Sequence, residues 1–327
     1  MTFISHAQNR EDVLLWRALK HVKKGFYVDV GANHPSHDSV TKAFYDRGWS
    51  GINIEPLQAH FEELQRVRLR DINLQVAAGA MQGEIDLYDS DVRGLATASV
   101  EVAQARREAG GVVRHCRVPV SRLDAILAAH APAQIHFLKI DVEGFEASVL
   151  QGMDFTRWRP WIVVVEATKP NSRELELGWE PLLTDAHYQS VWFDGLNRYY
   201  LAAEQMALVE HFQSPPNVFD EFVPAEQERL RLALEKIQSE LKNNADQTQL
   251  NQQVMAQTQQ LQLQLNAVLT SRSWQITRPL RLAIKALSAL KKKVTDPAFG
   301  ETPASLPAQA APSKIGRASC RERVSSP

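Results

Sequence analysis

The sequence predicts an α/β protein built around a doubly wound, mostly parallel β-sheet. In the first 223 residues, short and continuously apolar runs alternate with helical stretches. Such runs are typical of parallel strands buried on both faces, and strand–helix alternation implies right-handed βαβ crossovers. We predict five parallel strands, at residues 26–30, 51–54, 72–77, 135–140 and 161–166. We also predict a terminal antiparallel hairpin formed by residues 190–193 and 199–201.

Composition is that of a protein with a substantial core. The 327 residues are 44% hydrophobic, and the formal net charge is −1, so nothing in the charge indicates nucleic acid. Cys116 and Cys320 lie far apart without metal-ligand spacing, which favours a reducing compartment. The chain shows no apolar signal region or membrane-spanning run. We expect a soluble cytoplasmic protein and assign no metal site.

The chain changes character at residue 224, where aromatic residues and glycines become rare. Leu230, Leu234, Ile237 and Leu241 keep a 4-3-4 spacing, which resumes in a shifted frame from Leu250. This pattern predicts a coiled coil over residues 224–270, with self-association or a hetero-partner. A solvated single helix or a disordered linker is the alternative.

The last part of the chain contains a basic amphipathic segment. Residues 271–296 place apolar side chains on one helical face and lysines and arginines on the other. Such a helix can lie on an anionic membrane surface, here the inner face of the membrane, or can pack against a protein partner. We predict a disordered tail over residues 297–327. Residues 313–327 resemble a translated sequencing adapter and are excluded from fold reasoning.

A candidate cofactor loop follows the first predicted strand. The strand carries Asp29 and runs into a single tight turn at Gly31, where a dinucleotide-binding loop would have two further glycines to cradle a pyrophosphate. Asn33 and His34 occupy that region instead. Glu55 ends the second strand, 24 residues after Gly31, where an acid accepts hydrogen bonds from ribose hydroxyls. An adenosine ligand without pyrophosphate fits, and S-adenosylmethionine is such a ligand, with Asp29 near its amino-acid end.

A second motif combines a buried strand with charge. Lys139 and Asp141 share one face of the strand, and Glu143 opens the next helix. Burying these charges is costly unless they pair or serve a site. One interpretation is an ion pair that ties strand to helix. The other puts Asp141 beside the sulfonium of the cofactor, as the candidate base that takes a proton from an acceptor hydroxyl.

Other polar residues are weaker candidates. His34 and His37 follow the cofactor loop and are candidates to share the role of base, or else they stabilise a helix start next to Asp38. Two further groups are candidates to line an acceptor pocket or to be structural: the pair Arg122 and Asp124, and Glu166 at the end of another strand.

Several ordered motifs resemble the FkbM family of S-adenosylmethionine-dependent methyltransferases. The resemblance covers about residues 3–222 and rests on AQNREDVLLWRAL, YVDVGANHP, GINIEP, LKIDVEGFEASVLQG and DGLNRYYLA. It implies a Rossmann-like class I methyltransferase fold and transfer of a methyl group to hydroxyl oxygens, in bacteria often those of sugars in surface glycans. The implied acceptor is therefore a sugar or a lipid-linked glycan.

The resemblance also implies roles for matching residues. The implied cofactor contacts come from Asp29, Gly31, Asn33 and Glu55, and the implied site roles fall on Asp141 and Glu143. Two other functions compete with a methyltransferase. They are a nicotinamide-dependent oxidoreductase, which the missing glycines disfavour, and a non-catalytic subunit of a polysaccharide-assembly complex.

Overall fold

The computed structural model describes residues 2–271, apart from residues 92, 95 and 171. Elements are numbered in chain order. The strands β1–β12 are Phe3–Ser5, Phe26–Val30, Ser50–Ile54, Ile72–Leu74, Ala77–Gly79, Gly83–Ser90, Val113–Arg122, Phe137–Ile140, Ile162–Glu166, Tyr188–Phe193, Asn197–Ala202 and Phe222–Pro224. The α-helices α1–α8 are Glu11–Leu19, Lys42–Asp46, Gln58–Val67, Val100–Glu108, Leu123–His130, Glu146–Gln151, Glu180–Thr184 and Ala225–Thr270. Two 3₁₀ helices span Ala203–Phe212 and Val218–Asp220.

A seven-stranded sheet forms the centre of the protein. Its strand order is β10-β11-β9-β8-β2-β3-β4. Strands β9, β8, β2, β3 and β4 run parallel, and β11 is antiparallel to both of its neighbours. The predicted mixed α/β sheet and its terminal hairpin are confirmed. After β2 the chain passes to β3 on one side, and it later returns to β8 on the other, so a crevice opens at the carboxyl end of β2.

Both faces of the sheet are covered, as the continuously apolar strands predict. Val28 and Val30 belong to one core cluster, with apolar side chains of α5, α6 and α7. Tyr27, the residue between Phe26 and Val28 in the strand, belongs to another cluster, with side chains of α1 and α2. Because successive side chains of a strand point to opposite faces, Asp29 lies on the same face as Tyr27.

The predicted strand at residues 72–77 is wrong in its second half. Only Ile72–Leu74 pairs with β3, at the edge of the main sheet. The chain then enters a separate three-stranded sheet of order β5-β7-β6, in which Ala77 pairs with Val120. Ala77 packs there with Leu87 and Val118 in a small core of its own. Ala77 leaves the main sheet because it is buried in this second core, and the apolar run in the sequence does not reveal that.

Helix α8 is a 46-residue α-helix with no buried residue. At a rise of 1.5 Å per residue its length is about 69 Å. The chain divides into two units after Ser239, so the boundary lies within this helix. The apolar positions of the predicted coiled coil, Leu230, Leu234, Ile237 and Leu241 among them, are all exposed.

No helix within residues 2–271 combines the length and apolar character needed to cross a bilayer. The basic amphipathic helix predicted over 271–296 and the predicted tail fall, except for residue 271, outside the described residues. Cys320 lies there too, whereas Cys116 is half-buried on β7 as a free thiol.

Candidate active site

A cavity of about 540 Å³ opens at the carboxyl ends of the parallel strands. Its walls come from the ends of β2, β3, β8 and β9 on one side and from the second sheet on the other. Six residues singled out from the sequence line it together, namely Asp29, Gly31, Asn33, Glu55, Asp141 and Glu143. Lys139 and Glu166 line it as well. The sheet thus brings together residues that lie more than 100 positions apart in the chain.

Gly31 makes the turn that closes this end of β2. Its φ is +81°, in the left-handed region, and a Cβ there would lie 1.9 Å from the carbonyl oxygen of Asp141. The Gly31 amide donates a hydrogen bond of 3.0 Å to the carbonyl of Ile54. Only glycine fits a position that is strained for other residues and is also in close contact with the neighbouring strand end.

Glu55 holds the loop that follows this turn. Its Oε2 accepts a hydrogen bond of 2.9 Å from the amide of Asn33, and its Oε1 accepts one of 2.9 Å from the amide of Leu57. The residue is only 4% exposed yet lines the cavity. Each carboxylate oxygen has two lone pairs, so both oxygens keep acceptor capacity for a ligand.

Arg93 also holds this loop in place, and the sequence did not predict this role. Its Nε donates to Asn33 Oδ1 at 2.7 Å, and its Nη2 donates to Asn33 O at 3.1 Å and to Glu63 Oε2 at 2.8 Å. Arg93 lies after β6, in a stretch without apolar periodicity, so no local signal connected it to the loop.

Lys139 links the ends of two neighbouring strands. Its Nζ lies 3.1 Å from Asp141 Oδ2, 3.6 Å from Asp29 Oδ1 and 3.4 Å from the carbonyl oxygen of Gly31. Burial alone would lower the pKa of Lys139, but the carboxylates of Asp141 and Asp29 outweigh it and raise this pKa above the ordinary value. Lys139 is therefore charged. The structural ion pair and the role in a site, the two interpretations of this motif, are compatible, because the ion pair itself lines the cavity.

Asp29 has one oxygen without a hydrogen bond. Its Oδ2 accepts a hydrogen bond of 3.1 Å from Thr41 Oγ1. Its Oδ1 is buried and receives no hydrogen bond from any described residue. A buried carboxylate oxygen without a donor is costly, and this one borders the cavity, where a ligand can supply the donor.

Three carboxylates meet on the other side of Lys139. Ligand oxygens of Asp141, Glu143 and Glu166 all lie within 4.8 Å of one another. Burial and the charge of Asp141 raise the pKa of Glu143 to about 8. Burial, with the charges of Asp141 and Glu143, raises the pKa of Glu166 to about 10. Burial is the larger cause of both shifts, and repulsion by the neighbouring carboxylates adds to it.

Some candidates from the sequence lie elsewhere. His34 is not among the described residues that line the cavity. Its Nδ1 accepts hydrogen bonds from the amides of Ser36 and His37, at 2.9 and 2.8 Å, which favours a local structural role over that of a base. His37 pairs with Asp38 at 2.7 Å. Arg122 and Asp124 also lie outside the lining, and they bind each other.

An α/β sheet with an acid-lined cavity at its switch point is a ligand-binding architecture of enzymes. Residues 29–190 match the family model described as Methyltransferase FkbM domain. The matched segment is a methyltransferase domain of the FkbM type. No curated protein matches the sequence.

Replacing Lys139 by methionine tests the charge linkage. Lys139→Met leaves two buried or half-buried carboxylates without their cation, and breaking such a pair from one side costs about 3–5 kcal/mol. We expect the free energy of unfolding, measured by urea denaturation and circular dichroism, to fall by this amount. The control is Lys169→Met, since Lys169 pairs with Glu174 in an exposed bridge that water screens. Equal effects of the two changes would contradict a central role for Lys139.

Proposed function

We propose that the protein is an S-adenosylmethionine-dependent O-methyltransferase. The observation that carries the proposal is the first loop of the cavity. In a dinucleotide-binding fold a helix begins at this turn, and its N-terminus holds the pyrophosphate. Here helix α2 begins only at Lys42, eleven residues after Gly31, and Asn33 intervenes with a φ of +51°. This arrangement favours an adenosine ligand without pyrophosphate and disfavours a nicotinamide dinucleotide.

The residues of the cavity suit such a cofactor. Asp29 Oδ1 is buried and has no hydrogen-bond donor among the described residues, so it can accept a hydrogen bond from a cationic group such as the ammonium of a methionine moiety. Glu55 offers acceptor capacity to ribose hydroxyls. The order of the main sheet, with its one reversed strand beside β9, supports the class I methyltransferase fold. When bound, S-adenosylmethionine supplies an activated methyl group on a sulfonium sulfur.

Asp141 is the residue we assign to the acceptor. Its side chain is 36% exposed, the most accessible of the three clustered carboxylates, and it borders the cavity. As the methyl group is transferred, the acceptor hydroxyl loses its proton, and Asp141 either takes this proton or fixes the hydroxyl that gives it up. We further propose a sugar or glycan hydroxyl as acceptor, in bacterial surface polysaccharide synthesis. The resemblance to the FkbM family supports this choice.

The long helix supports a proposal about assembly. Leu230, Leu234, Ile237 and Leu241 form one stripe with the spacing of a coiled-coil seam, and each is more than half exposed. A second copy of the chain presents the same stripe and is the partner we propose. The membrane contact predicted for residues 271–296 stays a prediction from the sequence.

The cofactor is tested by titration calorimetry on the full chain. We expect S-adenosylmethionine to bind and NAD not to bind. Glu55→Ala removes two charge-assisted hydrogen bonds to the ribose, each worth roughly 1.5–3 kcal/mol, so affinity should fall by about 10²-fold or more. The matched control is Glu62→Ala, an exposed residue on the adjacent helix. Unchanged affinity in a folded Glu55→Ala variant would remove Glu55 from the site.

The role of Asp141 is tested by turnover. Asp141→Asn keeps the shape of the side chain but removes the basic carboxylate. We expect turnover with a glycan acceptor to fall about 10²–10⁴-fold, while S-adenosylmethionine still binds. Near-normal turnover at saturating cofactor and acceptor would show that Asp141 is a structural residue.

Assembly is tested by sedimentation equilibrium. Ile237→Asp puts a charge into the seam and should dissociate a dimer of the full chain. Leu232→Asp is the matched control, because Leu232 is also exposed on α8 but lies off the seam. A monomeric unmodified chain, or equal effects of the two changes, would refute self-association through this stripe.

A further inference from the structure

Three carboxylates converge on one point of the cavity wall from three different positions in the fold. Asp141 directly follows β8, Glu143 follows two residues later with a left-handed φ of +54°, and Glu166 is the last residue of β9. The left-handed backbone and the end of the neighbouring strand aim these side chains at a common point. Oxygens bound to one cation at 2.0–2.6 Å are at most about 5 Å apart, and the three candidate oxygens meet this limit.

Glu166 supplies an independent observation. The residue is 8% exposed and lines the cavity, and its Oε2 is buried without a hydrogen bond from any described residue. Its register partner on β11 is Asn197, whose side-chain amide donates instead to Glu11 and Asp194. An unsatisfied buried carboxylate oxygen needs a donor or a cation, and no residue in the described part of the chain donates a hydrogen bond to this one.

The charges around this point are also unbalanced. Asp29, Asp141, Glu143 and Glu166 are four acids, and the described basic groups that face them are Lys139 and Arg106. Lys139 is shared between Asp29 and Asp141. The nearest approach of Arg106 to Glu143 is 4.0 Å, beyond hydrogen-bond distance. Acidic groups therefore outnumber the described basic groups that pair with them at this point.

We propose that Asp141, Glu143 and Glu166 bind a hard divalent cation of the Mg²⁺ or Mn²⁺ type. Carboxylate oxygens are the ligands such ions prefer, and Mg²⁺ commonly keeps several positions of its octahedron for water or substrate. Three protein ligands leave three positions on the cavity side. In the methyl transfer, which rests on the proposed function, one of these positions holds the acceptor hydroxyl and orients it.

The acceptor that fits this site is a molecule with neighbouring hydroxyl groups. Two adjacent hydroxyl oxygens can occupy two open positions of the cation together. A chelating diol of this kind is bound more tightly and in a more defined orientation than a lone alcohol, because the second contact costs little further entropy. The cation therefore favours the sugar class of acceptor over simple alcohols.

The test is Mn²⁺ binding to the chelator-treated full chain, followed by electron paramagnetic resonance, with Mg²⁺ as competitor. We expect one Mn²⁺ per chain, displaced by Mg²⁺, with binding below about 1 mM, the range of the weaker oxygen-ligand sites. Glu166→Gln and Glu143→Gln should each weaken it more than about tenfold. Glu84→Gln, an exposed change outside the cavity lining, should leave it unaltered.

The outcomes separate the cation from the methyltransferase activity. No Mn²⁺ bound up to about 1 mM, or binding that is equal in Glu166→Gln, Glu143→Gln and Glu84→Gln, overturns the cation site. Circular dichroism checks that each variant is folded. If one of the two variants Glu166→Gln and Glu143→Gln is unfolded, the Mn²⁺ affinity of the other still tests the site. S-adenosylmethionine titrated into the same chelator-treated chain reports on the proposed function independently, since its contacts at Asp29 and Glu55 need no cation.

Discussion

The site depends on the ion pairs that Lys139 forms with Asp29 and Asp141. Strands β2 and β8 are neighbours, and Asp29 and Lys139 are direct register partners. Their side chains leave the sheet on the same face, and Lys139 then reaches Asp141 at the next position on that face. One cation thus holds two acids from two strands at the edge of a cavity. Without this cation, the carboxylates of Asp29 and Asp141 would repel each other at the carboxyl ends of β2 and β8, which are paired strands.

The main sheet was predictable because its signal is local. Each central strand is a short, continuously apolar run, and β2 was predicted with its observed bounds, Phe26–Val30. The acids were predictable for a related reason. Parallel strands bring their carboxyl ends to one edge, so residues such as Asp29, Glu55 and Asp141 had to meet once the sheet was assumed.

The second sheet was not predicted, because its two longer strands, β6 and β7, are partly exposed. On β6, Glu84 and Asp86 alternate with Ile85 and Leu87, so only a few apolar residues indicate the strand. Its partner β7 also carries exposed polar residues. The contacts of Arg93, which follows β6, join residues that lie far apart in the chain, and such contacts leave no trace in local periodicity. The contacts of His34 were not predictable either, since its spacing could not show that Nδ1 accepts hydrogen bonds from two backbone amides.

The small sheet gives the cavity a wall that is built separately from its floor. Ile85, Leu87, Ala96 and Ala98 line the cavity from this side, and Leu87 is anchored in the small core rather than in the main one. The carboxylates of Asp29, Glu55 and Glu166 lie in or directly after strands of the large sheet, whereas these apolar groups belong to the segment between β4 and β8. Substitutions of these apolar residues should therefore change one wall of the cavity and leave the carboxylates on the other side in place.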